Sequence, residues 1–212
     1  MQKEDNKSKI EAINLQRLVD GAVEFNKLIL SMKDQFKSPK KAVVFISGMV
    51  GYSCQAALFA QKKSHYIVNT IINKKYVFGD YLNYCLFEGK LSFYNLLMGQ
   101  ICQRYPELIP LKIEPYLQRV AGNIGNKDYL IQGVFNPEKI FDFQFYSSTW
   151  NKFYDTLIKY CKTPDEWPTL FSIALNRFMD LIEKQFGTHY YIYFVAIAFE
   201  NAIYVSKISQ LY

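Results

Sequence analysis

Arginine, histidine and closely spaced cysteines are all scarce in this 212-residue chain, and each scarcity removes a class of chemistry. The cysteines stand at positions 54, 85, 102 and 161, and no two are closer than seventeen residues. Structural zinc and thioredoxin-like sites use cysteines separated by about two to four residues, so neither pattern is present. His65 and His189 are the only imidazoles that could supplement the thiols. The expectation is no metal and no cofactor.

Arg17, Arg104, Arg119 and Arg177 are the only arginines among 25 basic side chains, which outnumber 19 acidic ones for a net charge of +6. The lysines are spread along the chain in runs no longer than two. Forked guanidinium recognition of phosphates and base edges is therefore thin, which disfavours a nucleic-acid partner. A solvated positive surface, or attraction to an acidic protein, suits these lysines better. The stretch from Met1 to Lys9 is polar and charged where a secretory leader needs an apolar core. Reduced thiols in a cytoplasmic protein are the corresponding expectation.

Apolar side chains are abundant, at 50% of the sequence with seventeen Tyr and seventeen Phe. A chain of this length can bury one sizeable core, and a single domain over residues 1–212 is predicted. Aromatic abundance also suits binding surfaces, although base composition of a genome produces the same bias.

Ala42 to Gln61 runs for twenty residues without a charge, between Lys40-Lys41 and Lys62-Lys63. About 20 apolar residues suffice to span a bilayer. Ser47, Gly48, Gly51, Ser53 and Gln55 nevertheless sit in its middle, and a buried amide in lipid is costly without a partner. Lysines at both ends also give no orientation. A helix at the centre of a water-soluble fold uses the small residues better: Ser47, Gly48, Gly51 and Cys54 let neighbouring helices approach closely. Ser38-Pro39 supplies its N-cap and first residue.

Helical periodicity dominates elsewhere. Leu15, Leu18, Ala22, Phe25, Ile29 and Met32 form one stripe, and Ser92 precedes an apolar-periodic segment over Phe93–Cys102. A short helix is predicted over Glu114–Ala121. Tyr146, Trp150, Phe153, Tyr154, Leu157, Ile158 and Cys161 share a helical face. Thr163-Pro164-Asp165-Glu166 combines a capping threonine, a first-turn proline and a glutamate able to bond back to the cap. The helix that follows ends near Gly187, and Thr188 caps a last one with Tyr191, Val195, Ala198, Ala202 and Val205 on one side. Between these, Tyr66–Ile72, Asn73-Lys74 and Tyr76–Phe78 predict a hairpin at about 65–79. The expected fold is mainly α, a multi-helix bundle-like domain with one small β-hairpin.

Three chemical signatures need weighing. Cys54 followed 135 residues later by His189 has the order of a papain-like thiol hydrolase or acyltransferase, with Tyr190–Val195 as the strand carrying the histidine's neighbours. Cys54 in mid-helix would lack the stabilisation that a helix start gives a thiolate. Gly51-Tyr52-Ser53-Cys54-Gln55 imitates a nucleophile elbow but has Gln55 where the second glycine belongs. Gly122-Asn123-Ile124-Gly125-Asn126-Lys127 lacks the ending of a phosphate loop and reads as a helix cap and turn.

The segment Ser47-Gly48-x-x-Gly51-Tyr52-x-Cys54-Gln55-Ala56-Ala57, with Glu166-Trp167-Pro168-x-Leu170-Phe171 and Glu200-Asn201-Ala202-Ile203, resembles an uncharacterised family of bacterial cytoplasmic proteins. The resemblance implies a helical protein of the interaction type and no activity. That category includes immunity and adaptor proteins encoded beside toxins. The sequence thus favours a non-enzymatic, protein-binding module, with another protein such as a toxin as partner. Two amphipathic stripes in the terminal helices also suit a homo-oligomer. The thiol enzyme using Cys54 and His189 is the first alternative, and a non-specific nucleic-acid binder the second.

Overall fold

The computed structural model describes residues 2–32, 36, 38–61, 71–72, 75–76, 80–107, 112, 115–116, 118–119, 130–131, 134–135 and 143–208. Its principal helices are α1 (Gln2–Ser31), α2 (Pro39–Ala60), α3 (Asp80–Asn83), α4 (Phe93–Arg104), α5 (Phe143–Tyr160), α6 (Glu166–Phe186) and α7 (Thr188–Ile208). The protein is mainly α.

Local chemistry accounts for most helix ends. The Ser38 hydroxyl accepts from the Lys41 N–H at 3.3 Å, and Pro39 occupies the first turn of α2, where its missing N–H costs nothing. Ser92 caps α4 in the same way, accepting from Asn95 N–H at 3.2 Å. Gly187, at φ 87°, ends α6 in the backbone region that glycine tolerates best, so α7 begins one residue later. Before α6 the capping differs from expectation. Asp165, not Thr163, is the flanking residue, and Glu166 reaches back to the N–H of Lys162 at 2.6 Å. Glu166 also pairs with Arg17 of α1 at 2.7 Å.

The hairpin expected at about 65–79 falls largely outside the described residues. Only Ile71–Ile72 and Lys75–Tyr76 are described there, paired antiparallel, which is too little to show the hairpin over 65–79. A similar two-residue pairing joins Leu130–Ile131 and Val134–Phe135. Of the helix expected over Glu114–Ala121, four residues are described, all helical. The loop from Gly122 to Lys127, and His65, lie outside the described residues. A π-helical turn at Tyr84–Glu88, continuing α3, carried no sequence signal.

At the centre lies α2, packed chiefly against α7 and α6, while α1 lies on α6 and α5. Its own Phe45, Ile46, Met49, Val50 and Leu58 are buried, each worth about 1.5–3 kcal/mol of apolar transfer before the cost of ordering the chain. Among the described helices it alone is long and apolar enough to cross a bilayer, yet 78% of its most apolar stretch is buried inside the protein. That placement suits a core helix of a water-soluble fold.

Aromatic rings knit the other layers. Phe25 of α1 meets Phe153 of α5 at 4.5 Å between centroids and Phe171 of α6 at 4.9 Å. On α5 the buried face is Tyr146, Thr149, Phe153, Thr156 and Leu157, rotated from the expected stripe so that Tyr154 and Ile158 face solvent. The stripe on α7 is buried throughout: Tyr191, Val195, Ala198, Ala202 and Val205.

Candidate functional site

Ser47, Gly48, Gly51 and Cys54 are all buried on α2, and at Gly48 and Gly51 the neighbours leave no room for a Cβ. A Cβ at position 51 would overlap the Ala202 carbonyl oxygen and lie 2.6 Å from the Ser206 nitrogen, so α2 and α7 touch backbone to backbone there. At position 48 the obstacle is the Tyr146 hydroxyl, which donates to the Val44 carbonyl at 3.4 Å. Asn201 of α7 donates to that same carbonyl at 2.7 Å and to Ser47 Oγ at 3.0 Å. Gln55 donates to the Ser206 carbonyl at 3.0 Å. Amide side chains from each helix thus clamp the backbone of the other. Buried polar groups need such partners.

The thiol of Cys54 has no exposed surface and donates to the Val50 carbonyl one turn back at 3.3 Å. Burial, reinforced by the neighbouring Cys85 thiol, pushes its pKa well above the ordinary cysteine range. A neutral, enclosed thiol in mid-helix is a poor nucleophile. His189 stands in the first turn of α7 with its side chain exposed, and Tyr190–Val195 is helix, not strand. The structure therefore does not present Cys54 and His189 together in an open cleft. Ser53 is also buried, its hydroxyl bound to the Val50 carbonyl at 2.7 Å, and the supposed elbow is unbroken helix. Among the described residues no group of three or more His, Cys, Asp or Glu is placed to hold a metal.

Two concave features stand out among the described residues. A cleft of about 590 Å³ opens between α1, the π-turn and the start of α6, with Cys85, Lys90, Asp165 and Glu166 on its walls. Its carboxylates are occupied by the fold: Asp165 accepts from the Tyr81 hydroxyl at 2.7 Å and from Gln61 at 2.6 Å. Glu166 receives Arg17 through both oxygens, at 2.7 and 2.9 Å. These groups join α1, α2 and α3 to α6.

The second is a groove of about 480 Å³ where the end of α1, the start of α2 and the end of α6 meet. Leu30, Phe36, Pro39, Leu181, Ile182 and Phe186 line it, and among the described residues its polar lining is Ser38 and Gln185. Leu30 is 50% exposed, and Leu181 and Phe186 are also open to solvent. Beyond Phe186 the apolar surface continues through Tyr190, 5.9 Å away between ring centroids, to Tyr193. Lys40 places its ammonium 6.0 Å from the Tyr193 ring. Sequence reading missed this groove because its lining comes from three separate segments. The signal was faint: apolar Leu181 and Phe186 lie outside the buried stripe of α6.

No protein-family model, curated protein or solved structure matches the chain, so no relative supplies an activity for either feature. The likeness to a bacterial cytoplasmic family read from α2, α6 and α7 has no family model behind it.

Proposed function

We propose that the chain works by binding another protein and not by turning over a substrate, with the groove between α1, α2 and α6 as the docking face. The observation that carries this is the exposed apolar surface running from Leu30 through Leu181 and Phe186 to Tyr190 and Tyr193. Large rings and aliphatic side chains left in water at one continuous place are characteristic of interfaces. An immunity or adaptor protein of the cytoplasm, covering a partner such as a toxin, is the version that a net charge of +6 suits when that partner is acidic.

Two findings support the choice over its rivals. Cys54 is sealed, which weighs against the thiol hydrolase or acyltransferase with His189. Arg17, Arg104 and Arg119 are each engaged by carboxylates of Glu166, of Asp180 and Glu183, and of Glu200, which leaves few guanidinium groups for nucleic acid.

The test is affinity capture from the native cell with the wild-type chain, a Leu181→Asp/Phe186→Asp double variant and a Tyr154→Ser control on another exposed surface. A protein retained by wild type and control but lost by the double variant is the expected result. Equal retention by all three, or thioester, ester or peptide turnover that disappears in Cys54→Ala, overturns the proposal.

A further inference from the structure

Resting on that docking face, the geometry points to the kind of segment it takes: an amphipathic helix whose apolar side chains are flanked by Asp and Glu. Concavity comes first. A groove walled by Leu30, Phe36, Pro39, Leu181, Ile182 and Phe186 receives side chains that project from a ridge, whereas a bilayer surface offers no ridge. Helices present such ridges through residues spaced three, four and seven apart, the usual means by which a helix enters an apolar groove. A groove of about 480 Å³ has room for two or three large aliphatic or aromatic side chains and not for a whole domain.

Charge at the rim selects the flanks. Lys40 and Lys41 follow Pro39 directly and are exposed, and Lys40 carries its ammonium to 6.0 Å from the Tyr193 ring at the far end of the same apolar surface. Lys27 lies one helical turn before Leu30, and Lys184 one turn after Leu181, both exposed. The acids nearest on α6 are already engaged, Asp180 and Glu183 by Arg104. Among the described residues the groove lining holds no acidic side chain. A basic flank on the incoming helix meets like charges among the described residues, while an acidic flank meets complementary ones. Rim charges of this sort act mainly on encounter rate and on the choice between partners.

The probe is a displayed library of amphipathic helical peptides, with the apolar face held as Leu or Phe and the flanking positions randomised, selected against the full chain at physiological salt. Enrichment of Asp and Glu at the flanks is expected. Affinity of the selected peptide should fall at least about tenfold in Lys40→Glu/Lys41→Glu and in Leu181→Asp, with a steep loss on raising salt. The unfolding temperature of each variant, measured alongside, shows that the fold is kept. Flanks enriched in Lys or Arg, or left unbiased while Leu181→Asp still abolishes binding, overturn the acidic-helix inference and leave the docking face standing. Peptides that bind equally to Leu181→Asp, or none at all, overturn both. Binding to anionic vesicles with no peptide enrichment would place a membrane surface there instead.

Discussion

The middle and the first turn of α2 meet their surroundings in opposite ways. Around Gly48, Gly51 and Cys54 the helix is closed against α7 and α5, with glycines admitting a backbone and a hydroxyl where no Cβ fits. At Pro39 and Ala42 the same helix borders a groove whose walls are left in water. Sealing by small residues produces stability and no access. Large side chains stranded at an edge produce access at little cost to stability.

Substitutions should separate these regimes sharply. Gly51→Ala places a methyl against the Ala202 carbonyl and the Ser206 N–H, which are backbone and cannot rotate away, so a loss of about 3 kcal/mol is expected in denaturant unfolding. Gly48→Ala should cost less, about 1–2 kcal/mol, because its obstacle is the movable end of Tyr146. Equal effects would break the distinction between backbone and side-chain contact. Asn201→Ala removes two hydrogen bonds to α2 and should cost about 1–2 kcal/mol. At the open end, Leu181→Asp should change stability by about 0.5 kcal/mol or less, since the side chain is already exposed. A loss as large as that of Gly51→Ala would show the groove to be core.

Thiol chemistry sharpens the same contrast. In alkylation followed by mass spectrometry, Cys54 should be modified only at the rate of global unfolding, because it is enclosed and its pKa is raised by burial. Cys161 is half-buried and pushed up to about 12, chiefly by burial and then by Glu166, so its labelling should be slow at pH 8 and faster in Glu166→Gln. Prompt labelling of Cys54 in the folded protein would reopen the thiol enzyme.

The smallest effect concerns α1 and α5. Glu24 is held below its ordinary value of 4.5, first by the Tyr160 hydroxyl at 2.6 Å and then by the Lys159 ammonium at 3.1 Å. A lowered folded-state pKa means that its stabilisation is present above about pH 4.5 and is lost as pH falls through the folded value. Wild type should therefore exceed Glu24→Gln slightly at neutral pH, and the two should converge in acid. The pair is open to solvent, with 38% of the Glu24 and 61% of the Lys159 side chain exposed, which keeps the difference small.

Helix starts were legible where one or two residues decide them, as at Ser38-Pro39 and Ser92, because capping is a bond within a single turn. At Thr163 the expected cap gives way to Asp165, and Glu166 both bonds back to the Lys162 N–H and pairs with Arg17, 149 positions away in the chain, a contact that no local pattern carries. Tyr154 and Ile158 were misplaced for a related reason: periodicity gives a face, and the neighbours decide how far around the helix burial extends.

Composition, charge spacing and period by themselves determined that this is a mainly helical protein, with an uncharged helix for which burial is the natural place and without the close cysteine pairs of common zinc motifs. These properties follow from the chain within a few turns, or from counting. Only the tertiary structure decided that Cys54 is shut away from His189, that Asp165 and Glu166 serve as ties between helices, and that Leu30, Phe36 and Leu181 share a groove. Such facts depend on which distant segments pack together, and no local pattern carries that information.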